Sequence, residues 1–266
     1  LAHAIVESAL DAGVEPGRVL PLVTDALPAT SAGYTIRTHE IALAQREAGL
    51  DPHVATRAGY PVTQGRIDGR RLVELDGVPY HRLLPWRMPG RADTPARQSL
   101  ELADALTRQL QPAVLHAASN YGNAKLALAL RERYGLPVVY EVRGFWEDTW
   151  LSRYPDAAER AKSELYQRNR HLETQCMLAA DLVVTLGEAM RDEIVARGVP
   201  AELVDYLPWD TAGEVARALD LLRPSVLAFS KTDVWPALTR AAAERGIPVV
   251  LLSATLPASS SRLGGA

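Results

Sequence analysis

Cysteine is nearly absent from this chain, and that removes whole classes of architecture. The one thiol, Cys176, lies in a helical-looking stretch between Gln175 and Met177. Neither a disulfide framework nor a cysteine-based zinc site can be drawn within the chain, and a reducing compartment is the default. Histidine does not fill the gap. His39, His53, His81, His116 and His171 are far apart, no His-x-x-x-His occurs, and no structural metal and no cofactor are expected. Nowhere do 18 apolar residues run uninterrupted, which argues against a spanning helix. The first residues lack the charged start, apolar middle and small-residue end of a signal peptide. Neither sign of charge dominates: 29 Lys and Arg face 32 Asp and Glu, for a net charge of −3, so no basic field points to nucleic acid. Also missing are Gly-x-Gly-x-x-Gly, a Walker loop with its lysine, and the Gly-x-Ser-x-Gly elbow of serine hydrolases.

What remains is a chain of 266 residues with 47% hydrophobic content, enough for one large domain or one and a half. Short apolar runs recur, each followed by a longer stretch of helical period, the pattern of buried parallel strands and crossover helices. Strands are predicted near 18–24, 52–57, 113–117, 137–142, 181–185, 202–206, 225–230 and 248–253. Within 71–84 the turn dipeptide Asp76-Gly77 separates two β-like runs and predicts a hairpin, ahead of a long helix over 95–110. Two segments repeat one another: helix, Pro112-Ala-Val-Leu115, loop, helix, Gly135-Leu-Pro-Val-Val139, and later helix, Pro224-Ser-Val-Leu227, loop, helix, Gly246-Ile-Pro-Val-Val250. Any strand entered through a Gly-x-Pro turn looks similar, so the pattern is compatible with chance as well as with duplication.

Polar and small residues gather where strands end. The loop Asp25 to Tyr34 feeds a helix and offers free backbone N–H groups to a phosphate or carboxylate, or is a plain connection capped by Thr30 or Ser31. The next parallel strand ends in His116-Ala-Ala-Ser119-Asn120-Tyr121-Gly122-Asn123, at the place where open α/β sheets bind ligands. Its neighbour ends in Glu141-Val-Arg143-Gly144-Phe145-Trp146-Glu147-Asp148, which puts an arginine, acids and two aromatics on the same rim, although Glu141 and Arg143 can also simply pair with each other. Glu188 follows a further strand and suits the first turn of a helix.

From Arg18 to about Val204 the sequence resembles the N-terminal Rossmann-like domain of the GT-B glycosyltransferases of family 4, the retaining, nucleotide-sugar-dependent class. The resemblance is carried by Ala29-Thr-Ser-Ala-Gly33-Tyr-Thr-Ile-Arg37-Thr-His39, by Leu115-His116-Ala-Ala-Ser-Asn120, by Val139-Tyr-Glu141-Val-Arg143-Gly144-Phe-Trp146-Glu147, and by Ala180-Asp-Leu-Val-Val-Thr185-Leu-Gly-Glu188. It implies that Gly33 and its loop face the donor diphosphate and acceptor, with Arg37 and His39 beside them, and that His116, Asn120 and Arg143 line an interdomain cleft. Ala32 stands where such loops often have a first glycine. From about Asp205 to Leu263 the chain is similar instead to part of the N-terminal domain of Kdo (3-deoxy-D-manno-octulosonic acid) transferases. Thr232-Asp233-Val234-Trp235-Pro236 matches that family's Thr-Glu-Leu-Trp-Pro, and Lys231 stands where a further glutamate is usual.

The expected architecture is therefore α/β, a doubly wound Rossmann-like, mostly parallel sheet of GT-B N-terminal type with an additional C-terminal βαβ unit. Residues 1–17 read as the end of a preceding helix or a linker, 18–204 as the acceptor-side domain, and 205–266 as an incomplete Kdo-transferase-like segment. The expected activity is transfer of a sugar from a nucleotide-activated donor to a glycan or lipid-linked glycan. His116 and Arg143 take catalytic roles, and Gly33, Arg37, His39, Asn120, Glu141, Glu188 and Asp233 bind substrate. Beginning at Leu1 without methionine, the chain reads as a piece that needs a missing C-terminal donor-binding domain and turns over little alone. The expected location is cytoplasmic, with peripheral contact to the inner face of the membrane and no nucleic-acid partner. The alternatives are a noncatalytic module that holds an acceptor or partner, and, ranked last, a GT-B sugar-nucleotide epimerase.

Overall fold

The computed structural model describes residues 14–86, 94–206, 212–230 and 235–252. Its described elements fall into two units, one ending at Tyr206 and the other beginning at Leu207.

In the first unit the strands are β1 (Glu15–Val23), β2 (Asp51–Pro52), β3 (Val54–Thr56), β4 (Leu72–Leu75), β5 (Val78–Arg82), β6 (Pro112–Ala118), β7 (Val138–Val142), β8 (Leu182–Thr185) and β9 (Val204–Tyr206). They form one sheet in the order β4-β5-β3-β1-β6-β7-β8-β9, with β2 also paired to β1. Every pairing is parallel except β4 with β5. The helices are α1 (Gly33–Glu47), α2 (Thr94–Leu110), α3 (Tyr121–Tyr134), α4 (Trp146–Leu151), α5 (Ala157–Arg160), α6 (Glu164–Ala179) and α7 (Glu188–Ala196).

Side chains alternate across a strand, and both faces here are apolar because both are covered. One face sends Leu20, Leu22, Leu115, Ala117, Val138, Tyr140, Val142 and Val183 into a core closed by Ala103 and Leu106 of α2, Ala124, Ala127 and Leu130 of α3, Cys176 and Met177 of α6, and Ile194 of α7. On the other face Val23, Val54, Val78, Tyr80 and Ala118 pack with Ala42 of α1. The apolar runs predicted buried parallel strands, and the helices on both faces give the doubly wound arrangement that the family resemblance implied.

β1 begins at Glu15, ahead of the predicted start at 18, and its register to β6 shifts between Glu15 and Val19, where Gly17 adopts a positive φ of 79°. Residues 1–13 lie outside the described residues. The Asp76-Gly77 hairpin is present, with φ of 50° and 75° at its two turn residues. Gly77 is favoured by its φ; a Cβ there would also press on the Arg46 guanidinium, which donates to the Asp76 carbonyl at 2.7 Å and would have to swing aside.

The second unit contains α8 (Ala212–Leu222), β10 (Leu227–Ser230), α9 (Pro236–Glu244) and β11 (Val249–Leu252), with a small core around Val215, Leu219, Ala241 and Ala242. Its geometry repeats that of β6–α3–β7. Leu115 pairs with Val138 and Leu227 with Val249, both parallel. Gln111 and Arg223, each just before the strand-opening proline, have positive φ of 49° and 43°, and Gly135 and Gly246 end their helices at 69° and 66°. Residues 253–266, the polar tail, lie outside the described residues.

On the sheet, His53 and His81 stack at 5.2 Å between ring centroids, with Nδ1 of the first 3.0 Å from Nε2 of the second. Burial, reinforced by His53, pushes the His81 imidazole down to about 4, and burial lowers His53 against the opposing pull of Asp51, with Arg18 nearby. The folded chain therefore binds fewer protons here than the unfolded chain below the ordinary histidine value of 6.5. Stability should be full above that pH and fall as the pH drops toward 4; urea denaturation of His81→Phe across this range should show a flatter decline than the wild type.

Candidate active site

Three elements meet toward the carboxyl ends of the central strands, and one side chain joins them. Glu141, at the end of β7, is completely buried. Its Oε1 accepts a 2.8 Å hydrogen bond from Arg37 Nε on α1. Its Oε2 accepts from Arg143 Nε and Nη2 at 2.9 and 2.6 Å, and His116 Nε2 of β6 lies 3.3 Å from the same oxygen. Burial alone would raise this carboxyl, but His116 and Arg143 outweigh it and hold the group well below the usual carboxylate range. Two guanidinium groups against one carboxylate leave at least one positive charge in excess within this cluster, whatever the state of His116.

Arg143 is anchored on every side. Nη1 donates to the Tyr34 carbonyl at 2.9 Å and to Thr38 Oγ1 at 2.7 Å, and its backbone N–H donates to Ser119 Oγ at 3.1 Å. Four of the five N–H bonds a guanidinium carries are thus committed, and one remains. Gly33 opens α1 beside this cluster. A Cβ built on it would meet nothing within 4 Å, so the space in front of the helix start is open.

The N-cap of α1 is Ala32, not Thr30 or Ser31. Thr30 is occupied elsewhere: its hydroxyl accepts from Tyr60 Oη and donates to Gln64 Oε1. Thr35 reaches back instead and accepts the Ala32 N–H at 2.9 Å. Asn120 caps α3, its Oδ1 accepting the Gly122 N–H at 3.0 Å.

Two expected residues are not in the cluster. His39 is buried on the far side of α1, between Tyr80 Oη at 2.9 Å and Asp76 Oδ2 at 3.0 Å. Two residues along a helix is a rotation of about 200°, so if Arg37 faces Glu141, His39 must face the hairpin. Glu188 is exposed in the first turn of α7, where it complements the helix dipole without touching Glu141 or its partners. Asp233 lies outside the described residues.

Glu147 corrects a further expectation. It is fully buried rather than set on the rim, and pairs with Arg197 Nη1 at 2.7 Å. That arginine also binds Glu193 at 2.9 Å and lies 3.9 Å from the Phe145 ring centroid. Below it Glu173 accepts the Tyr121 N–H at 2.9 Å and the Tyr140 hydroxyl, and burial pushes its carboxyl up. Sequence reasoning also left out Asp25, a buried acid that accepts from Tyr34 Oη at 2.9 Å and lies 3.3 Å from Arg57. Its signal was its place directly after β1.

A family model described as Glycosyl transferase 4-like domain matches residues 32–210. The chain belongs to that family. A second model, 3-deoxy-D-manno-octulosonic-acid transferase, matches residues 162–264. The glycosyl transferase 4-like stretch thus includes every residue of the Glu141 cluster. No curated protein matches the sequence. Among solved structures the chain is similar to UDP-N-acetylglucosamine 2-epimerase from Rickettsia bellii, at 16% identity and a TM-score of 0.44, covering 94% of this chain and 64% of that one. It is similar also to the starch synthase IV catalytic domain from Arabidopsis thaliana bound to ADP and acarbose, at 13% identity and 0.49, covering 93% and 71%. A third is MurG from Acinetobacter baumannii, at 11% and 0.42, covering 93% and 68%. The chain therefore spans less than two thirds of the length of the Rickettsia epimerase.

Replacing Glu141 leaves two largely buried guanidinium groups facing each other. Glu141→Gln should cost about 3–5 kcal/mol at pH 7. Because the wild-type carboxyl is depressed, its stabilisation is present above the ordinary value of 4.5 and lost as the pH falls below it. The gap between wild type and variant in urea denaturation should narrow below that pH.

Proposed function

We propose that this chain is the acceptor-side part of a glycosyltransferase that moves a sugar from a nucleotide-activated donor to a glycan or lipid-linked glycan. The observation that carries the reading is the convergence of Arg37, His116 and Arg143 on one buried carboxylate inside the glycosyl transferase 4-like stretch. A nucleotide-sugar donor leaves as a diphosphate, and stabilising that developing negative charge is the main demand on the protein. The excess positive charge at the rim suits it, held rigid by Glu141 so that it need not reorganise during the reaction.

In this reading Arg143 presents its remaining N–H and its charge to the leaving diphosphate, and His116 beside it serves the reacting sugar. Gly33, Arg37 and Asn120 form the surrounding binding wall, with Glu141 as the positioning residue beneath them. A C-terminal donor-binding domain supplies the opposite wall. The place of action is the cytoplasmic side of a membrane, in peripheral contact with it; among the described residues no helix is long and apolar enough to cross one.

Gly33 separates a ligand role from a folding role. Its open surroundings leave room for Ala, which is also the better helix former, so Gly33→Ala should change stability by less than about 1 kcal/mol. The same methyl would stand where a substrate approaches. With a donor-binding domain supplied, transfer from a panel of nucleotide sugars should fall at least about tenfold in Gly33→Ala and about a hundredfold in His116→Ala. Absence of transfer from every donor in the wild type, or full activity in both variants, would overturn the reading.

A further inference from the structure

The excursion between β3 and β5 is unlike the rest of the surface. Residues 57–77 carry four arginines, Arg57, Arg66, Arg70 and Arg71, against the acids Asp68, Glu74 and Asp76, a local excess of one positive charge in a chain whose net charge is −3, and Arg57 lies 3.3 Å from Asp25. Asp68 is already shared, 2.6 Å from Arg70 and 2.7 Å from the buried Arg82. Large apolar side chains stand in solvent beside these charges: Trp86 is 97% exposed, Ile67 fully so, and Val62 and Leu72 by 44% and 55%.

These residues are gathered by the backbone. The Gly59 N–H donates to the Leu83 carbonyl at 2.8 Å, which brings the stretch leading to Val62 beside the one leading to Trp86. The Asp68–Arg82 pair holds the stretch around Ile67 against the end of β5, and the Arg82 N–H donates to Arg71 O at 2.7 Å. The patch therefore sits at the carboxyl ends of β3 and β5. That is the rim that carries Glu141, with β3 three strand spacings, about 14 Å, from β7.

We infer that this excursion docks the chain on a bilayer containing anionic lipid, with Ile67 and Trp86 entering the interface and Arg66 and Arg71 facing the headgroups. Exposed apolar side chains ringed by arginine fit such a surface better than they fit a hydrated polyanion, which offers nothing for Ile67 and Trp86 to enter. The inference rests on the proposed lipid-linked acceptor for its purpose, since docking here would bring a membrane-borne acceptor along the rim to the Glu141 cluster.

Co-sedimentation of the full chain with vesicles tests it, using phosphatidylcholine alone and phosphatidylcholine with 30% phosphatidylglycerol. The wild type should bind the anionic vesicles about tenfold more than the neutral ones, and less as salt is raised. Ile67→Asp with Trp86→Ser should cut that binding at least about tenfold, and Arg66→Glu with Arg71→Glu by a similar factor. Leu178→Ser, an exposed residue at the end of α6, which leads into the amino end of β8 and so lies away from the carboxyl-end rim, should leave it unchanged. Circular dichroism confirms that the variants are folded. No binding to anionic vesicles, binding retained by both double variants, or loss with the charge variant alone would overturn the inference. Transfer to a water-soluble acceptor is measured in parallel with the donor-binding domain supplied. Its loss with vesicle binding intact counts against the transferase reading and not against the docking surface, and the reverse result does the opposite.

Discussion

A carboxylate taken wholly out of water is tolerated only if cations and hydrogen bonds replace the solvent it loses. Glu141 meets that condition with groups drawn from three places: a helix turn following β1, β6, and the residue just past the end of its own strand. The requirement acts as a gauge for everything nearby. It sets the rotation of α1, because Arg37 must point at β7, and hence the position of Gly33 at the helix start. It also orients Arg143, whose guanidinium then ties the Tyr34 carbonyl and Thr38 to the β7 end. A rim assembled from loops alone would have no such common reference.

The same logic operates one layer deeper with different partners. Glu147 and Arg197 are both essentially excluded from solvent, and their contact joins the segment after β7 to the end of α7. Glu173 on α6 takes the first N–H of α3, a group that would otherwise attract an anionic ligand. With Asn120 taking the Gly122 N–H as well, the start of α3 is already satisfied from within the protein. The start of α1 differs: a Cβ on Gly33 would meet nothing within 4 Å, so that helix end is open where the start of α3 is filled.

Much of this was legible in one dimension. Apolar runs and turn residues marked the strands, since a buried parallel strand has few other ways to look, and Asp76-Gly77 carried its hairpin without help. The grouping of Gly33, His116 and Arg143 followed from a topological rule, that successive parallel strands end on the same side. Failures came where phase or partnership decided the outcome. His39 sits two residues from Arg37 in sequence but across the helix in space, and no motif shows which of the two faces the rim. Glu147 looked like a rim acid because its partner Arg197 lies fifty residues away. Thr30 looked like a cap because nothing local reveals that Tyr60 and Gln64 compete for its hydroxyl.

The second unit shows how far backbone punctuation and site chemistry can be separated. Its βαβ segment matches β6–α3–β7 in strand register, in the left-handed residue before the strand-opening proline, and in the left-handed glycine that ends the helix. Agreement at three kinds of position is more than a shared Gly-x-Pro turn demands, and it favours duplication over chance. The chemistry was not carried along. Where the first copy has His116, Glu141 and Arg143, the corresponding positions of the second are Ala228, Leu252 and Ala254. Without the acid there is no reason to gather cations, and without the cations a buried acid could not survive, so the two must be kept or lost together. At those three positions the second unit therefore carries no charge, and it does not repeat the Glu141 cluster.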